Sequence, residues 1–260
     1  MIDRERCIRT ESDRFGAVLV ATDHGATVPT CPDWNVLDLL KHLTQVHGFW
    51  AAVIGDRLTG PAIDEFERKR PALPDDPAQL QDLRRAATAD LLNALNGRDP
   101  SEQAWSWFPP DQTVDFTWRM QTHEATMHRV DAELAARLPI SPIDPEVAAD
   151  GIGHMVDVMW AWVPIDATRS VTGTVEIRAT DTGHSWLANT IRWSGTTWGQ
   201  TFTNQPGCER VDIGEPDATI SGTAENLDLL VWTRADQNIA RFGDPDTLAE
   251  FQAVLDDGVR

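Results

Sequence analysis

Apolar positions recur at helical intervals through the first 160 or so residues, and after about residue 168 they begin to alternate. Ile8, Phe15, Val18, Leu19 and Ala21 predict a helix over residues 4–22. Gly25 to Pro32 is rich in Pro, Gly and Thr and reads as a connection. Asp33 stands where an N-cap is expected and opens a long helix from Trp34 to about Leu58. Val36, Leu39, Leu40, Leu43, Val46, Phe49, Trp50 and Val53 form its apolar side. Residues 59–76 carry Pro61, Pro71, Pro74 and many charges, which predicts a loop. Pro77 suits a first helical turn, and Leu80, Leu83, Ala87, Leu91, Leu92 and Leu95 continue a helix over 78–96 that Asn96-Gly97 ends. After an irregular aromatic stretch, Trp105 to Pro110, Asp115 is placed to cap a helix from Phe116 to about Arg137. A fifth helix is expected from Pro145 to Val163. Five helices with short to medium connections predict a bundle.

Beyond Pro164 the texture changes. Val171-Thr-Gly-Thr-Val-Glu-Ile-Arg178 alternates with period two, and 185–193 and 196–203 read as strands with Thr and Val enriched. Val211 to Ile220 adds a further short strand or two, and helices return at 224–234 and 244–256. The expected architecture is therefore mixed, α+β: a helical domain over 1–164, then a smaller α+β domain over 165–260 with a mostly antiparallel sheet.

Charge narrows the partners. The formal net charge is −19 over 260 residues, which repels phosphate backbones and anionic membranes, so neither is expected as a partner. No apolar run reaches membrane-span length, and Met1-Ile2-Asp3-Arg4-Glu5-Arg6 has no signal-peptide character. Cys7, Cys31 and Cys208 are an odd, scattered set, which fits a reduced cytoplasmic protein better than a disulfide scaffold. Eleven Trp, no Tyr and only two Lys suggest a high-GC genome.

Two predicted helices carry the chemistry. Glu124 and His128 are four apart on the second, so both project from one face. His42 lies on the first, beside Leu39 and Leu43, where it can face the bundle interior. Two ligands from one helix and one from a neighbour would leave an open position on a catalytic metal. His123 and His128 are five apart, roughly 140° around the helix, so His123-Glu124 does not begin a His-Glu-x-x-His protease motif. His47 stands five from His42 and points elsewhere. On spacing alone the alternative remains a core histidine with a solvated Glu–His pair.

Cys31-Pro-Asp-Trp34-Asn-Val with His42-Leu, then Trp118-Arg-Met with Glu124-x-x-x-His128-Arg-Val-Asp131, resembles the mycothiol-dependent maleylpyruvate isomerase family. The resemblance implies an up-down DinB-like helical bundle in the N-terminal half, with His42, Glu124 and His128 as ligands of zinc or another divalent metal. Ile220-Ser-Gly-Thr-Ala-Glu-Asn-Leu-Asp-Leu-Leu-Val-Trp-Thr-Arg234 and Arg241-Phe-Gly-Asp244 are similar to the family's smaller, sterol-carrier-like domain. There the resemblance implies that Arg234 acts in catalysis and in binding the thiol cofactor. Mycothiol, the small thiol of actinobacteria, is the implied cosubstrate, activated for isomerisation of, or S-transfer to, a small electrophile. Two other readings stand beside this one: a small-molecule binding protein without catalysis, and a metal hydrolase that needs no thiol. The oligomer is expected to be a monomer or homodimer. Asp131 could orient or cap locally but is read as a solvated helix charge; His47 and His123 could support the ligands but are read as structural or surface groups; the cysteines are poor nucleophiles.

Overall fold

A computed structural model describes residues 2–197 and 199–258. Trp198, within the expected strand 196–203, lies outside them, as do the first residue of the expected helical domain and the last two of the α+β domain. The chain divides into two compact units, Met1–Ser141 and Pro142–Arg260. This division precedes the 164/165 boundary expected from the sequence. The reason is packing: the helix beginning at Pro145 lies against Ala224–Val231 of the second unit.

The first unit opens with α1 (Arg4–Val20), followed by a short antiparallel hairpin of β1 (Thr27–Val28) and β2 (Cys31–Asn35), where the sequence predicted only a connection. Helix α2 (Val36–Gly55) is capped by Asn35, not Asp33: Asn35 and Asp38 exchange side-chain and backbone bonds in a capping box. The stretch expected to be a loop contains α3 (Pro61–Lys69), whose charged faces leave only Ile63 buried. Helix α4 (Pro77–Asn96) starts after the Asp76 cap, and α5 (Val114–Ala135) after Thr113 rather than Asp115. Helix α2 packs on α4 and α1 on α5. Phe15, Leu19, Leu39, Leu40, Leu43, Leu80 and Ala132 share one core.

The second unit begins with α6 (Pro145–His154), which passes into a single π-helical turn, Met155–Met159, short of the predicted end at Val163. A five-stranded sheet follows, formed by β3 (Thr168–Ala179), β4 (Ser185–Thr197), β5 (Gln200–Arg210), β6 (Ala218–Gly222) and β7 (Ala240–Gly243), in the order β5-β4-β3-β6-β7. Every pair is antiparallel except β3 with β6. Helix α7 (Ala224–Val231) follows β6, and α8 (Pro245–Asp257) packs on β3, β4 and β5. Gly173 permits that approach, since a Cβ there would stand 2.4 Å from Thr247 Oγ1. Strand β7 was not anticipated from the sequence; it is four residues long at the sheet edge. The whole is α+β, and no described helix is long and apolar enough to cross a membrane.

Candidate metal centre

Helix α5 presents Glu124 and His128 one turn apart, and α2 presents His42 to them. The three donor atoms lie within 4.8 Å of one another. His42 Nε2 and His128 Nε2 each stand 3.4 Å from Glu124 Oε1. Ligands at zinc distances around a tetrahedral ion would lie about 3.4 Å apart, so the spacing suits a small divalent cation. Two imidazoles and one carboxylate are also a fitting donor set for zinc or a neighbouring first-row metal. The His42 and His128 rings meet edge to face, with centroids 4.8 Å apart, and Trp34 from β2 covers His42 at the same separation. Exposure is graded across the site: 33% for His42, 26% for Glu124 and 9% for His128.

Asp131, one turn beyond His128, corrects the reading of a solvated charge. It is fully buried, and His128 Nδ1 donates to its Oδ2 at 3.0 Å. Its Oδ1 accepts from Thr30 Oγ1, in the turn between β1 and β2, at 2.6 Å. A carboxylate on Nδ1 fixes the imidazole so that Nε2 is the free donor, the usual support behind a metal-binding histidine. The three-residue spacing from His128 was a signal for Asp131; nothing in the sequence marked Thr30.

The electrostatics are those of a proton held where a cation would bind. Burial opposes charge on Glu124, but bonds and positive charge from His128 and His42 outweigh it and hold its carboxyl well below the usual carboxylate range. Burial also pulls His128 down, yet its bonds to Asp131 and Glu124 prevail and push it up to about 9.

The other candidates fall elsewhere. His47 is fully buried, bonded through Nδ1 to Thr88 Oγ1 at 2.9 Å, and burial lowers it to about 3, so it is neutral at ordinary pH. His123 is buried in α5. Arg234 belongs to the second unit, three residues past the end of α7, and donates to its neighbour Trp232's carbonyl at 2.6 Å. It lines a cavity of about 410 Å³ with Leu230, Asp236 and Gln252. Burial pushes the Cys7 thiol up to about 11 and Cys208 to about 12, which removes both as nucleophiles.

Residues 6–133 match the family described as Mycothiol maleylpyruvate isomerase N-terminal domain. The first unit thus carries the N-terminal domain of that family. Among curated proteins none matches the sequence significantly. Two solved structures share the fold: the mycothiol-dependent maleylpyruvate isomerase and a single-residue mutant of it. Each is 13% identical with a TM-score of 0.60, and each match covers 94% of this chain and 95% of the other.

Proposed function

We propose that this protein is a divalent-metal enzyme that uses a low-molecular-weight thiol, mycothiol, to isomerise a small electrophilic substrate such as maleylpyruvate, or to form an S-conjugate with one. The observation that carries the proposal is the convergence of His42, Glu124 and His128, with His128 locked from behind by Asp131. The family match of the first unit and the shared fold support the choice of thiol and reaction. Bound there, the cation supplies a Lewis acid that keeps a thiol ionised and nucleophilic near neutral pH. His42, Glu124 and His128 would hold it, Asp131 keeps the His128 Nε2 lone pair aimed inward, and Trp34 shields one side of His42 from water. Addition of the thiolate to one carbon of an electrophilic double bond opens its π bond; rotation about the resulting single bond and expulsion of the thiolate give the isomer, whereas protonation of the adduct gives the S-conjugate. Arg234 is assigned to the carboxylate of substrate or cofactor, which its planar fork suits.

Metal content of the purified protein by mass spectrometry tests this. About one zinc per chain is expected in the wild type, with near-complete loss in His42→Ala and in Glu124→Ala. Absence of metal, with none taken up on adding zinc, would defeat the catalytic reading. Maleylpyruvate turnover that needs no added mycothiol would defeat the thiol's role while sparing the metal's.

A further inference from the structure

The second unit contains a cavity that the metal chemistry does not use. It measures about 370 Å³, and its walls come entirely from residues 159–258. Met159, Trp160, Trp162, Trp193, Phe202 and Val254 supply the apolar surface. Trp193 and Phe202 face each other across adjacent strands, with ring centroids 5.4 Å apart and planes tilted by 39°. Trp162 is 43% exposed, which is unusual for so large an apolar group and sets it where the lining meets water. Protein interiors rarely leave voids larger than a water molecule. A space of this size with aromatic walls and few polar groups has the character of a ligand site.

We propose that this cavity binds one flat, uncharged, apolar molecule of two or three rings. Size sets the upper and lower bounds. An apolar cavity of about 150 Å³ accepts benzene, and this one is roughly two and a half times larger. The polar edge sets the charge. Gln205, held by an amide N–H on the Thr203 carbonyl at 3.1 Å, adds an uncharged amide to the lining. Asp257 places a carboxylate on the same lining. A neutral amide and a carboxylate suit an uncharged ligand and oppose an anion, in keeping with a chain of net charge −19. The site would therefore discriminate against the carboxylates and thiolates assigned to the metal centre.

The test uses two dyes with one skeleton, N-phenyl-1-naphthylamine and its sulfonate, 8-anilinonaphthalene-1-sulfonate, titrated into the full-length protein. The neutral dye should bind once per chain, with energy transfer from tryptophan. The sulfonate should bind at least about tenfold more weakly. Val163→Trp, which fills the cavity, should weaken the neutral dye by about tenfold or more. Should that variant fail to fold by circular dichroism, Trp162→Ala decides the matter, with weaker binding and reduced energy transfer. His42→Ala should bind the neutral dye as the wild type does, which separates this site from the metal reading. The proposal is overturned by non-saturable binding, by equal affinity for the sulfonate, by a folded Val163→Trp that binds undiminished, or by loss of binding in His42→Ala.

Discussion

The two helices that meet at the metal centre are built on opposite plans. Helix α2 buries nine of its 20 residues, and only Thr44 and His47 among them are polar. Helix α5 buries eighteen of 22, and half of those are polar or charged: Thr117, Gln121, Thr122, His123, Thr126, His128, Arg129, Asp131 and Glu133. The first is held by apolar contact along one stripe. The second is held inside the unit by a network in which each charge needs its partner. Arg129, only 1% exposed on its side chain, is clasped by Glu11, Glu133 and the Ser141 carbonyl. A helix of the α2 kind tolerates loss of a polar group, while one of the α5 kind should not.

The sharpest way to break the contrast is Arg129→Leu, which takes the partner from Glu11 and leaves Glu133 to Arg14 and Ser141 alone. It should cost about 3–5 kcal/mol of stability, read by urea denaturation. A cost under about 1 kcal/mol would show that the network is solvated rather than structural. Next is Asp131→Ala, which should leave the protein folded but weaken zinc binding roughly 10–100-fold, measured by competition with a chelator.

The same pair of proteins predicts a pH dependence. His128 must give up its proton to bind a cation, so wild-type affinity should rise by about tenfold per pH unit until about 9. In Asp131→Ala that rise should stop at lower pH, because the proton loses a partner. The sign for stability is opposite. A histidine raised from 6.5 to about 9 stabilises the metal-free fold fully below 6.5, and that contribution disappears as pH climbs through 9. Thermal melts of metal-free protein between pH 6 and pH 10 measure it. The smallest effect belongs to α2: Asn35→Ala removes the capping box and should cost about 1 kcal/mol with metal content unchanged.

The contrast also explains what could be read in advance. Helix α2 announces itself by its leucines, and His42 among them was recognisable as an inward group. Glu124 and His128 were recognisable by their spacing and by their likeness to a family motif. Asp131 was misread because α5 has no polar face to compare it with. When a helix is buried on nearly every side, its charges follow partners rather than periodicity. Helix α3 was hidden by Pro61, Pro71 and Pro74, although Pro61 in fact starts it. Strand β7 was too short to alternate visibly, and it exists because β6 offers it an edge. The expected Asp33 cap failed by two residues because Cys31–Asn35 pairs with Thr27–Val28 before the helix can begin.

Strand β5 carries a consequence of a different kind. It is eleven residues long and stands at the rim of the sheet, paired with β4 on one side only. An open row of amides that long is a template on which another chain can assemble. Two features spoil the template. Pro206 has no N–H to offer, and Asn204, at φ 54°, sits in a bulge opposite Ser194, whose hydroxyl its own amide engages. The strand is thereby bent and interrupted near its middle, so the protein carries its own safeguard against stacking into fibres at high concentration.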